Sequence, residues 1–412
     1  MIGLKRNLFL LSAMSVCACA FGQEKILTVE VENGWKNGKT DEPVVIRLDG
    51  VKGLDFVVRS ADVTDAKGER LAYQLDDMDG DMKADELVFL TNIGAKEKQT
   101  FKLKLSASAR KENFTPRVYA DIKLNDKADR YPKVTSIEIP QGSYVYSDIY
   151  HHGAAFESEL TAYRIYIDER QNIDLYGKYY RRLELEKTGF YSSPELQKER
   201  YGNDVLWAGG SIGCGSFKGW NGKTPVNLDS VAVRGQRIIA SGPLRTVVEV
   251  KDMGWQYGEG EPLNMKEYLI QYAGHRECEV SVTFDAPLGN QVFCTGVQKV
   301  GATPKGTVRK DGLAYSWGSD YPDMGMKDQY PPEAIGLGVY VPEKYIKKTV
   351  EDDLNYLFVV GAEGKTAMKY YVTFCADKEK DGFHSAEAWF GSMDSWKDGL
   401  DHPVEVRLKL NG

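Results

Sequence analysis

The stretch HHGAAFESELTAYRIYIDERQNIDLYGKYYRRLELEK, His151 to Lys187, has the residue spacing of paired strands, yet it is crowded with His, Glu, Arg, Tyr and Lys. From Phe156 its apolar residues fall on even positions, Phe156, Leu160 and Ala162, and then on odd ones, Ile165 and Ile167. Side chains alternate faces along a strand, so a change of phase would turn the core face to water. A β-bulge near Tyr163 would restore the phase, and bulges re-aim side chains beside active sites. The next run alternates Ile173 and Leu175 with Asp174, Tyr176 and Lys178. With DERQN as the loop, Arg164 is expected opposite Tyr176 and Tyr166 opposite Asp174, ~5 Å apart as direct cross-strand neighbours. The plain alternative is a solvated face of weak ion pairs. Against it stand the His pair leading in, the phase break, and Tyr set beside Arg.

Working outward, runs such as ILTVEVE, EPVVIRL, ELVFL, TFKLKLS, RTVVEV, EVSVTF, NYLFVV and KYYVTF are separated by Gly, Asn, Asp and Pro clusters, which predicts a nearly all-β chain. Helical patterns are short, the best of them PELQKERYG near Pro194 and SAEAWFGSMDSWKDGL near Ser385. The polar segment after Ala107 divides an immunoglobulin-like N-terminal sandwich, residues 23–120, from a large β-sandwich domain, residues 121–412, that carries the site.

Residues 1–22 have the layout of a secretory leader: Lys5 and Arg6, then an apolar run, then small residues. A periplasmic protein is expected; the competing box Val16-Cys17-Ala18-Cys19 would make it a lipoprotein anchored at Cys19. No later run reaches the ~20 apolar residues of a membrane span. Loss of Lys5 and Arg6 leaves 51 of 53 basic residues against 60 acidic ones, a net charge of −9, which argues against nucleic acid as a partner. Cys214, Cys278, Cys294 and Cys375 remain, too scattered for a disulfide framework or a zinc site.

Asp77, Asp79, Asp81 and Asp85 in LDDMDGDMKADELVF give an oxygen density that suits a structural Ca²⁺, although the spacing is not that of an EF-hand; the plain reading is a polar hairpin loop. In DVLWAGGSIGCGSFKGWNG, glycines interleave with Trp207 and Trp220, and indoles stack on sugar rings as readily as on other cores. His384 stands ahead of a helical pattern, where capping competes with a substrate role.

The crowded hairpin suits one chemistry in particular. A cation that binds a sugar carboxylate acidifies the neighbouring C–H, and a Tyr or His can then remove that proton. This predicts β-elimination or dehydration of a uronate, with His152 and Tyr176 as acid and base, Arg164 and Lys178 as the carboxylate clamp, and Glu157 as an orienting group; Arg181 adds to the basic patch. Tyr166, Trp207, Trp220 and His384 are the expected substrate contacts, and no cofactor is required. Two rivals stand beside it: a glycoside hydrolase using two of Glu157, Glu159 and Asp174, and a non-catalytic sugar binder relying on Trp207 and Trp220. Same-strand i,i+2 carboxylates point the same way, which suits hydrolysis poorly.

The segments HHGAAFESELTAYRIYID, IDLYGK, NDVLWAGGSIGCGSF, SGPLRTVVEV and QLDDMDGDMKADELVFL resemble the Bacteroidota family of domain-of-unknown-function 4861 type, carried in polysaccharide-utilisation loci. The resemblance implies a galactose-mutarotase-like supersandwich for the larger domain. It also implies an association with uronate-rich polysaccharides such as ulvan, whose oligosaccharide dehydratases are similar proteins. It assigns no catalytic residue.

Overall fold

A computed structural model describes residues 23–410 except 127–129, 259, 324, 326, 328 and 329, so the leader and Cys19 lie outside the described residues. Alternation builds the first sandwich. In Glu24–Glu32, Leu27, Val29 and Val31 are buried while the residues between them face outward. This strand lies between Lys98–Ser106 and Glu405–Leu410 in a five-stranded sheet. A three-stranded sheet of Lys39–Arg47, Glu86–Ile93 and Tyr73–Asp76 shares its core, with Val44, Ile46, Leu87 and Phe89 in one apolar cluster. Val404 and Val406 pack on that cluster too, so the end of the chain returns to the first sandwich. The division expected at residue 120 holds no such return.

The larger unit sets a nine-stranded antiparallel sheet against a six-stranded and a five-stranded one. One core takes residues from all three, among them Val248, Leu269 and Val280, then Phe156, Tyr163 and Ile173, then Phe293 and Phe358. The chain is therefore all-β with a multi-sheet sandwich architecture. Both helical patterns form helices, Pro194–Lys198 and Ala386–Asp401; the latter is capped by Ser385 and buries Trp389 and Met393. Cys214, Cys278, Cys294 and Cys375 are buried and unpaired. Among the described residues no helix is long and apolar enough to cross a membrane.

The six-stranded sheet positions the site. Its core is Asn203–Asp204, Ile173–Gly177, Ala162–Tyr166, Ile149–Ser158 and Val118–Leu124, in that order. Arg164 pairs with Asp174 and Ala162 with Tyr176, two residues from the expected register, because the strands resume at Ile165 and Ile173. The phase change is a turn between Ser158 and Ala162, not a bulge at Tyr163. The irregularity falls earlier, between Tyr150 and Ala155, and holds the two histidines.

Candidate active site

The outward face of this sheet is not solvated. Phe156, Tyr163, Ile165, Ile173 and Leu175 enter the main core, while Ala155, Ala162 and Tyr176 on the other face pack against Leu185 and Phe190 of the segment that folds over them. Under that roof the polar groups separate into two networks.

The first is closed. Lys178 Nζ donates to Glu157 Oε2 at 2.5 Å and to the carbonyls of Ser158 and Arg182 at 2.7 and 2.8 Å, which uses all three of its protons. Glu157 also accepts from the amides of Glu184 and Leu185. Tyr176 Oη donates to Glu184 Oε2 at 2.9 Å and sits 3.1 Å from Ser192 Oγ. Burial, followed by the Glu184 charge, pushes the Tyr176 phenol far above its ordinary value. Tyr176, Lys178 and Glu157 are thus spent on anchoring the roof, and none lines the cavity beside it. Expected to be catalytic, they instead satisfy one another and the roof backbone, as buried charges must.

The second network borders a cavity of about 510 Å³, a volume suited to a small ligand. Fully buried Arg164 is its hub. Nη2 lies 2.5 Å from Asp174 Oδ2, 3.0 Å from Asp204 Oδ2 and 2.7 Å from Tyr166 Oη, while Nη1 donates to Tyr191 Oη at 2.5 Å. Its guanidinium is saturated by protein, so Arg164 cannot serve as the expected clamp. Arg170, 37% exposed, lines the same cavity and lies over the Tyr146 and Tyr166 rings while pairing with Asp168.

His151 and His152 both adopt left-handed backbone, at φ 48° and 65°, a strained conformation for residues with a Cβ. A Cβ at Gly153 would stand 1.9 Å from the Ile165 carbonyl, so only glycine lets the strands close behind the pair. The distortion sends His151 inward, with neither ring nitrogen hydrogen-bonded, and His152 to the cavity. His152 Nδ1 lies 2.9 Å from the Tyr146 carbonyl. A carbonyl only accepts, so the neutral ring carries its proton on Nδ1 and leaves Nε2 as a bare lone pair. Burial, with Arg164 assisting and the Tyr146 carbonyl opposing, keeps the imidazole below its ordinary pKa.

Tyr191 is the complement of His152. Its oxygen accepts from Arg164, and its own proton has no acceptor among the described residues. Burial pushes this phenol up to about 12, while Arg164 pulls the other way. The two rings stand 6.5 Å apart at 66°. Asp204 lies on the same wall; burial and the neighbouring Asp174 charge raise its carboxyl well above the ordinary range against the pull of Arg164.

Of the expected residues, the cavity therefore gathers His152, Arg164, Tyr166 and Trp207. Trp220 is buried in a separate apolar cluster, and exposed His384 donates from Nδ1 to the Asp377 carbonyl, away from the cavity. Asp77, Asp79 and Asp85 bring carboxylate oxygens within 4.8 Å of one another, whereas Asp81 turns to Lys83. Tyr146, Arg170, Tyr191, Asp204, Asp323 and Tyr330 were missed: they arrive from separate segments, and no periodic signal joins them.

Fold and site together define an all-β sandwich protein with an aromatic-walled polar cavity on one sheet face. The chain belongs to the family described as domain of unknown function DUF4861, whose model matches residues 31–406. Solved structures similar to it include a glycosyl hydrolase family 38 protein from Enterococcus faecalis, at 8% identity and TM-score 0.46, covering 94% of this chain and 48% of that one. Another is an α-mannosidase from Enterococcus faecalis V583, at 9% identity and TM-score 0.46, covering 94% and 46%. The chain thus spans about half the length of these structures. No curated protein matches it.

Proposed function

We propose that the cavity is the active site of an exported carbohydrate lyase that acts on uronate-containing oligosaccharides by β-elimination or dehydration. The observation that carries the reading is the pairing of His152, with a free lone pair on Nε2, and Tyr191, with a free phenolic proton. His152 Nε2 takes the proton on the carbon beside the carboxylate. The C–H electrons form a carbon–carbon double bond as the C–O bond to the next carbon breaks, and Tyr191 protonates the departing oxygen. Arg164 makes the phenol a better acid by donating to its oxygen. Arg170 replaces Arg164 and Lys178 as the group that meets the substrate carboxylate, because its charge reaches the solvent-filled side. Polysaccharides of the ulvan kind and a periplasmic setting fit the leader and the chemistry. The test is ultraviolet absorbance of the conjugated alkene after mixing with uronate oligosaccharides; cleavage without that absorbance overturns elimination.

Asp204 favours a second reading. A carboxyl held toward its protonated form on a cavity wall is the general acid that glycoside hydrolysis needs, with Asp323 as the nearby carboxylate. New reducing ends without alkene, abolished by Asp204→Asn, would establish it. For the acidic loop we propose a structural Ca²⁺ held by Asp77, Asp79 and Asp85.

A further inference from the structure

Exposed large aromatic side chains are scarce among the described residues: Tyr144, 74% exposed, Tyr180, and Trp207, 45% exposed. One of these three lines the cavity just described, and another stacks on a residue that does. Trp207 lines it directly. Tyr144 stacks at 6.2 Å and 26° on Tyr146, which in turn lies 3.9 Å from His152 at 6°. Tyr144 is therefore the exposed ring of a stack that runs through Tyr146 to His152 and Tyr166.

The indole is seated rather than loose. Gly209 holds φ +52°, and a Cβ there would lie 3.0 Å from Trp207 Nε1, so the glycine leaves the space that the ring occupies. Gln298 Nε2 fixes the Trp207 carbonyl at 3.1 Å. A single exposed aromatic is ordinary on a protein surface. Two flat apolar rings, held in place beside a cavity walled by Arg, Asp, Asn and Tyr, match the amphipathic shape of a pyranose chain: C–H faces for the rings, hydroxyls for the polar groups.

We propose that Tyr144 and Trp207 are sugar-stacking platforms outside the reaction centre, so that the ligand is an oligosaccharide whose units extend beyond the cavity, not a monosaccharide. The proposal deepens the functional reading above and rests on it only in taking the ligand as a sugar; it holds for elimination and hydrolysis alike.

The experiment is calorimetric titration of the full chain with uronate-containing mono-, di- and tetrasaccharides prepared from ulvan and from polygalacturonate. The wild type should bind tighter as the chain lengthens. Trp207→Ala and Tyr144→Ala should each weaken tetrasaccharide binding about tenfold, Tyr144→Ala should change monosaccharide binding little, and Trp207→Phe should restore most of the loss at that position. A wild type without length dependence, one that binds none of the sugars, or variants that bind the tetrasaccharide as the wild type does would overturn the platforms. Length-dependent binding without alkene formation would leave the platforms standing and overturn elimination alone.

Discussion

Two ends of one sheet face are built from the same kinds of residue and do opposite things. At one end, Lys178, Glu157, Tyr176 and Glu184 satisfy one another and the roof backbone. At the other, Arg164, Asp174, Tyr166 and Asp204 form an equally dense network, but two groups at its margin are left over: His152 Nε2 and the Tyr191 proton. Crowding of ionisable residues thus says little about function, because buried charge must be paired wherever it occurs. What sets the cavity end apart is unspent hydrogen-bonding capacity facing a cavity.

The sharpest way to break this contrast is to damage each end alone. Lys178→Met removes the cation paired with buried Glu157 and should cost about 3–5 kcal/mol in denaturant unfolding, the usual penalty for orphaning a buried charge. A loss below ~1 kcal/mol would mean that the closed end is not closed. His152→Gln should do the reverse: turnover falls ~10²–10⁴-fold with the melting curve unchanged, as for loss of a general base. Wild-type turnover in that variant would send the search for the base elsewhere on the wall. Tyr176→Phe is the intermediate case. It removes a hydroxyl held by Glu184 and Ser192 and should cost about 1–3 kcal/mol in stability while the folded enzyme keeps its rate. A rate loss at unchanged stability would restore Tyr176 to the catalytic role its sequence position suggested.

That suggestion shows where the sequence was legible. Alternation located the strands, the helices Pro194–Lys198 and Ala386–Asp401 were readable from their helical pattern while the short Leu185–Thr188 was not, and His152, Arg164, Tyr166 and Trp207 do meet. Tyr176, Lys178 and Glu157 share the face as expected, but nothing local foretold that residues 184–203 would fold over them. The roof is a long-range event carried by Leu185 and Phe190, single apolar residues in a polar segment. The phase change at Ala162 was real, yet a turn and a bulge leave the same trace in a pattern of period two. Asp204 and Tyr191 were invisible because their importance lies in what Arg164 does to them, and that requires the register Arg164 opposite Asp174.

A pH profile sharpens the open end. A base at His152 would act only when neutral, and burial holds its pKa below the ordinary imidazole value of about 6.5. The acidic limb of kcat/KM should therefore fall below pH 6.5, dropping about tenfold per pH unit beneath the imidazole pKa and staying flat through neutrality. Since Arg164 is part of the cause, its charge is part of the shift; a limb centred above pH 6.5 would contradict both the burial of His152 and its assignment as the base.

The smallest effect is expected at the acidic loop, which resembles the closed end in being tied to its own backbone. Asp77 accepts from the amides of Gly80 and Met82 at 2.6 and 2.8 Å, Asp85 from Met78 at 2.6 Å, and Asp79 from Asp81 at 3.0 Å. Ca²⁺ would find these carboxylates gathered, but it would add to a loop already pinned by amides. Chelation should then cost no more than ~1 kcal/mol, a fall of about 8 °C or less in the melting of a domain this small, with the rate unchanged. An unaltered melting curve, together with no metal in the purified protein, ends the Ca²⁺ proposal. A collapse of the first sandwich on chelation would show instead that the amides alone cannot hold the carboxylates together. Because Arg237 donates to the Met78 carbonyl at 3.0 Å, such a collapse would be felt by the nine-stranded sheet as well.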